Sequence, residues 1–253
     1  MDDRRPFARP LFARGGSINV VSFLLAAPGA TLAQVERTAE VVAGRVPAGV
    51  GVFVRRADGR EHAVWFQQLL ASAPEAEASS LADTLAWIEL AGDLVDAPDH
   101  RSLGAVWDAV REGVAVAPHT LVYDGMAWAW RTGAEVRSHG PTDLRLVAAY
   151  RCETIEGFRD GAQNAYVCVH TLGLPKFGRR DVLAFGSEAN RSVLEALVAG
   201  IATDLFDGAV LSSGDRVAKG GLTVDIELYS PGRNAPELDV PFFAEPLVLF
   251  PSA

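Results

Sequence analysis

The stretch Ala165 to Leu172, "AYVCVHTL", reads as one continuous β-strand, and the residues after it, "GLPKFGRRDV", cannot continue one. Gly173, Pro175 and Gly178 each break regular pairing. Glycine reaches backbone angles closed to other residues, and proline fixes its own φ and donates no hydrogen bond. A strand that must turn here and run into a helix from Ser187 to Phe206 constrains the second half of the chain more than any other feature. In that helix Val193, Leu194, Leu197, Val198, Ile201 and Leu205 form an apolar face, and Gly208 suits the position after its end.

The rest of the chain has a similar grammar. "SINVVSFLLA" from Ser17 is a short apolar run stopped by "APGA", as expected of a buried strand. Thr31 and Gln34 then fit a capping box, with Leu32, Val35, Ala39, Val42 and Val46 at helical spacing. Asp58-Gly59 predicts a hairpin between two extended segments. Ser80 and Asp83 are placed to cap a helix bearing Leu81, Leu85, Ile88, Ala91 and Val95, and a further helix carries Leu103, Val106, Trp107, Val110 and Val114. "TLVYD" is a strand ending at Asp124, followed by an aromatic turn. A strand is expected from Leu144 to about Thr154, and Gly220-Gly221 marks a hairpin before the closing apolar segment "FFAEPLVLF".

Hairpins outnumber β-α-β crossovers in this order, which predicts an α+β protein with helices packed on largely antiparallel sheet, in two related α+β halves. A doubly wound fold is the alternative. The expected divisions are an arm at 1–16, one half at 17–140 and another at 141–253, with the Gly-Pro segment "RSHGPTD" between the halves.

A chain of 253 residues is long enough to bury a large core without staples, and its two cysteines make no disulfide framework. Net charge is −9 with scattered basic residues, so no footprint for nucleic acid is expected, and no apolar run is long enough to cross a bilayer. The arginine-bearing amino terminus reads as a solvated arm rather than a signal peptide, which points to the cytoplasm.

Three groups of residues have chemical potential. If the loop "IEGFRDGAQN" joins two antiparallel strands in the register that sets Cys152 opposite Cys168, then Tyr150 faces His170 and all four share a face. Cys152, Cys168 and His170 are then three candidate ligands of a tetrahedral zinc site; the other readings are ordinary core packing and a cross-strand disulfide. His170 beside Asp181 or Asp215 would make a general acid/base pair of hydrolase type. Trp128 and Trp130, two residues apart with Arg131 adjacent, are candidate anchors for a protein partner, or else core aromatics. "SSGDRVAKGG" has the glycines and the lysine of a phosphate loop but leads into a strand, so it reads as a hairpin turn.

Thr171, Gly173, Leu174, Phe177, Gly178 and Asp181, with Gly214 and Asp215 further on, resemble the signature of an uncharacterised bacterial family, domain of unknown function 4261. The resemblance covers roughly 144–230, and Arg179-Arg180 stand where members often have Leu-Pro. It implies no established chemistry and no cofactor. Such domains are similar to immunity-type and suppressor-of-fused-like modules, and this similarity implies a non-enzymatic protein whose partner is another protein. An enzyme or metal-binding protein centred on His170, and a structural subunit of a larger assembly, are the alternatives.

Overall fold

A computed structural model describes residues 20–56, 69, 73–74, 81, 84–93, 100–115, 120–138, 150–159, 164–206, 209–238, 240, 242 and 245–252. The chain divides into two compact units, one running over Ile18–Ala149 and the other including Tyr150–Ala253. The expected arm at 1–16 and the expected boundary at 140 lie outside the described residues.

In the first unit β1 (Val20–Ala26) is followed by α1 (Leu32–Ala43), β2 (Val50–Arg56), β3 (Ala86–Asp93), α2 (His100–Ala115), β4 (Leu121–Asp124), β5 (Ala129–Thr132) and the short α3 (Gly133–Ser138). The strands pair in the order β2-β3-β1-β4-β5, every pair antiparallel. β1 lies in the middle with both faces covered, which explains its lack of alternation: Val21, Phe23, Leu24, Leu25 and Ala26 are all buried. Phe23 meets Trp107 of α2 edge to face at 5.8 Å. On the opposite face Leu24 and Ala26 join Trp87, Leu121 and Tyr123 beneath Leu69 and Leu81. α1 begins at the expected capping box: Gln34 N–H donates to Thr31 Oγ1 and Thr31 N–H to Gln34 Oε1 at 2.8 Å. In α2 the expected stripe of Val106, Trp107, Val110 and Val114 is buried.

The helix expected after Ser80 is instead strand β3 over Ala86–Asp93. Ala86, Trp87, Ile88 and Leu90 are all buried because both faces of the strand are covered, one by α1 and the other by the cluster that holds Trp87, Leu69 and Leu81. A strand buried on both sides has no period of two, and its apolar residues matched a helical spacing by coincidence. Leu85, placed on the apolar face of that helix, is 63% exposed. β2 pairs with β3, and the strand expected to return from Asp58-Gly59 lies outside the described residues.

The second unit contains β6 (Arg151–Arg159), β7 (Ala165–Leu172), a 3-10 turn (Leu174–Phe177), β8 (Val182–Ser187), a second 3-10 turn (Glu188–Asn190), α4 (Arg191–Phe206), β9 (Arg216–Lys219), β10 (Leu222–Leu228) and β11 (Leu247–Ser252). The sheet order is β6-β7-β8-β11-β10-β9, antiparallel except for the parallel pair β8 and β11. α4 covers one face with Leu194, Leu197, Val198, Ile201 and Leu205 buried; Val193, expected on that face, is 49% exposed. Tyr229, Leu238 and Phe242 pack on the other face against Cys168, Leu183 and Val248. The Gly220-Gly221 hairpin forms as expected, with φ of 60° and 80°.

Both units are thus α+β with helices on largely antiparallel sheet, although their strand orders differ. No helix among the described residues is long and apolar enough to cross a membrane.

Among the described glycines of the first unit the tightest backbone approach is at Gly92 of β3, where an added Cβ would lie 2.0 Å from the Gly49 carbonyl oxygen and 2.8 Å from Val50 Cα. Backbone cannot yield as a side chain can. Gly92→Ala is therefore expected to destabilise the fold by about 2 kcal/mol or more, read from the midpoint of chemical denaturation.

Candidate functional site

The three-ligand cluster fails on register. Cys152 pairs with Thr171, Glu153 with His170 and Ile155 with Cys168, and the ladder slips again at a bulge between Ile155 and Phe158. Gly157, at φ 92°, sits in that bulge. The register expected from the sequence ended β6 too early, because Ile155 to Arg159, assigned to the loop, extend the strand. A shift by an odd number of residues turns the whole strand over. Cys152 is exposed, Cys168 and His170 are buried, and Cys152 lies on the face opposite the other two. Among the described residues no three His, Cys, Asp or Glu side chains gather in a way that could hold a metal ion.

Burial pushes the Cys168 thiol up to about 12, so it packs as a small apolar group in contact with Leu183 and Val248. Burial likewise lowers the pKa of His170, outweighing the backbone carbonyl of Thr171 and the charge of Glu153, which raise it. The imidazole stands edge-on to Phe242 at 5.7 Å. It is not paired with Asp181. His170 and Thr171 are adjacent in β7 and project to opposite faces, and Asp181 bonds to Thr171. Asp215 caps its own turn, accepting from Ser212 N–H at 2.7 Å. The acid/base pair expected from the sequence therefore does not form.

Sequence reasoning missed a buried polar network in the turn itself. Asp181 Oδ1 accepts from Thr171 Oγ1 at 3.0 Å and from Leu174 N–H at 3.1 Å, and Val182 N–H donates back to Thr171 Oγ1 at 2.9 Å. These bonds tie β7, the 3-10 turn and β8 together. Gly173 and Gly178 bracket the turn in left-handed conformations, with φ of 107° and 75°. Lys176 and Arg179 are also buried, and Arg179 donates from Nε to the Ala209 carbonyl at 2.8 Å. Burial raises the Asp181 carboxyl to about 7, against the opposing pull of its hydrogen bonds and of Lys176. The available signal was four ionisable residues, Lys176, Arg179, Arg180 and Asp181, in the six positions before an apolar strand. With every member buried, the network braces the fold and presents nothing to a substrate.

The tryptophan pair lies in the first unit, at the β4–β5 hairpin. Asp124, fully buried at the end of β4, accepts from Met126 N–H and Ala127 N–H at 3.1 Å each, and Gly125 N–H donates to the Ser22 carbonyl at 2.8 Å. These bonds fix a four-residue loop, Gly125 to Trp128, whose last member has φ 49°. Among the described residues Trp128 alone has a positive φ without being glycine. The residue is 47% exposed. Trp130, in β5, packs on Tyr123 with ring centroids 5.0 Å apart and joins the edge of the core. Arg131, half-buried, pairs with Val122 across the ladder. The two indoles therefore have different environments, because only Trp130 is on extended chain.

Compared with family models, with curated proteins and with solved structures, the chain matches none.

Asp181→Asn keeps the acceptor for Thr171 and Leu174 but cannot ionise, whereas Asp181→Ala strands both donors and is expected to cost about 2–4 kcal/mol. The carboxyl binds its proton more tightly folded than unfolded, so its stabilising contribution is full below about pH 4 and is lost as pH rises toward about 7. The loss of stability between pH 5 and 8 should thus be smaller in Asp181→Asn than in the wild type, measured by urea unfolding at both pH values. Native protein should also expose one thiol, Cys152, to a disulfide reagent, while Cys168 reacts only on unfolding; two equally protected thiols would contradict the register.

Proposed function

We propose that this chain is a soluble, cytoplasmic, non-enzymatic protein-binding module, and that the β4–β5 hairpin carries the contact with its protein partner through Trp128. The observation that carries this reading is an exposed indole on a strained backbone position. A left-handed conformation costs a residue other than glycine about 1–2 kcal/mol, and glycine would fill it at no steric cost. Backbone strain held by surrounding hydrogen bonds is a mark of binding sites. The hairpin is fixed by Asp124, so the ring is presented with little entropy to lose on association. Tryptophan and arginine are the residues most enriched at energetic centres of protein interfaces. Trp130 and Arg131 act in this reading as the base of the hairpin, with Trp130 anchoring it to Tyr123.

The immunity-type role suggested by the resemblance of residues 144–230 to domain of unknown function 4261 is consistent with this reading and supplies no partner identity. The reading gives no part in binding to Cys152, Cys168 or His170, of which the sheet register sets Cys152 on the face opposite the other two.

The test uses Trp128→Gly, which removes the ring and relieves the backbone. Its unfolding free energy should lie within about 1 kcal/mol of the wild type, since relief of strain is offset by greater freedom in the unfolded chain. Affinity capture from extract of the native host, quantified by mass spectrometry, should recover a protein with the wild type that is depleted about tenfold or more with the variant. Equal recovery by both chains, or no specific protein with either, overturns the proposal.

A further inference from the structure

A second feature of the first unit concerns small-molecule chemistry and is independent of the tryptophan hairpin. α2 packs against α1 on one side and α3 on the other, and Arg45, Asp108, Arg111, Glu112, Ala115 and Arg137 line a cleft of about 540 Å³ there. The three guanidinium groups come from three places in the chain: just past the end of α1, the body of α2, and the last turn of α3. Two carboxylates oppose them, so the cleft is net positive in a chain whose net charge is −9.

The carboxylates do not use up the available donors. Arg45 reaches Glu112 with a single contact at 3.1 Å. Arg111 stands 3.7 Å from Asp108, an ion pair beyond hydrogen-bond distance. Arg137 donates to the carbonyl of Val114 at 3.4 Å, at the end of α2. Each guanidinium carries five N–H groups in a planar fork. Arg111 is the least satisfied: its Nε is shielded from solvent and has no acceptor among the described residues. A buried charged donor without an acceptor is uncommon in a settled structure and calls for an explanation. The side chains of Asp108 and Glu112 are each about half exposed, so their ion pairs add little that would account for gathering three arginines here.

We propose that this cleft is a binding site for the phosphate group of a small molecule, with Arg111 as its central ligand and Arg45 and Arg137 flanking it. A tetrahedral oxyanion offers several acceptors in different directions, and this matches three guanidinium forks arriving from three places in the chain, where each carboxylate meets only one. Swinging the Arg111 guanidinium away from Asp108 toward the anion brings Nε and a terminal N–H to the ligand as a bidentate pair and satisfies the stranded donor. Arg45 keeps its ion pair with Glu112 and Arg137 its hydrogen bond to the Val114 carbonyl, and both turn their remaining N–H groups to the anion.

The probe is inorganic phosphate added to the full chain, with chloride at matched ionic strength as the control because screening alone weakens surface ion pairs. The readouts are thermal unfolding and the Nε–Hε resonances of the arginine side chains. Saturable stabilisation with an apparent Kd of about 1 mM or tighter is expected, with the Arg111 Nε–Hε signal moving along the same curve. Arg111→Gln should weaken binding at least tenfold, and Arg111→Lys, which keeps the charge and loses the fork, should recover only part of it. If Arg111→Gln does not fold, the resonance titration of the unmodified protein decides alone. An Arg111 signal that phosphate leaves unmoved, or a response that chloride reproduces, overturns the proposal.

Discussion

The second unit depends on one carboxyl group taken completely out of water. Asp181 receives the hydroxyl of Thr171 and the N–H of Leu174 on a single oxygen, and its own backbone carbonyl accepts from Leu247 N–H at 2.8 Å. The residue therefore joins β7, the turn, β8 and the first residue of β11. Burying a carboxyl without partners would cost more than a domain of this size can spare, and the bonds that hold it also dictate the path of the chain. Gly173 and Gly178 follow from that requirement: the turn must double back tightly enough to bring the Leu174 amide onto the same oxygen that Thr171 occupies.

Much of the architecture was legible in the residues. The capping box at Thr31 and Gln34, the buried stripe of α2, the Gly220-Gly221 hairpin and the apolar face of α4 each rest on chemistry within a few residues, and local chemistry is what a sequence states directly. The failures are all nonlocal. β3 resembled a helix because burial on both faces, under α1 on one side and in the cluster of Trp87 with Leu69 and Leu81 on the other, erased its alternation. Cys152 was set against Cys168 because nothing in the sequence marks the bulge at Gly157 or shows that β6 runs on to Arg159. The polar network was half visible: Thr171, Gly173 and Asp181 stood out as a pattern, but their mutual hydrogen bonds exist only once the turn closes.

The two units handle polar groups differently. In the second, Asp181 and Arg179 are sealed among partners and serve the fold. In the first, local order is directed outward. Asp124 is buried and shapes a hairpin that holds Trp128 at a positive φ, and two helices and the turn after a third bring guanidinium groups to a common cleft. The charged side chains that matter most in the second unit are thus those hidden from solvent, and in the first those that line its surface.

The position of β11 has a consequence for how the second unit is made. It is the last of that unit's strands in chain order, yet it lies inside the sheet, parallel to β8 and antiparallel to β10. Until Leu247–Ser252 has been synthesised, β6-β7-β8 and β9-β10 are separate ribbons with open edges at β8 and β10. Those edges face each other across a gap one strand wide and are the natural place for a foreign strand to enter. Closing the gap requires a long-range contact between Val182 and Leu247, which is a slow kind of step because the intervening chain must be ordered first. A nascent second unit therefore waits on its final strand, and the interval before that strand arrives is when the protein is most exposed to misassembly on the ribosome.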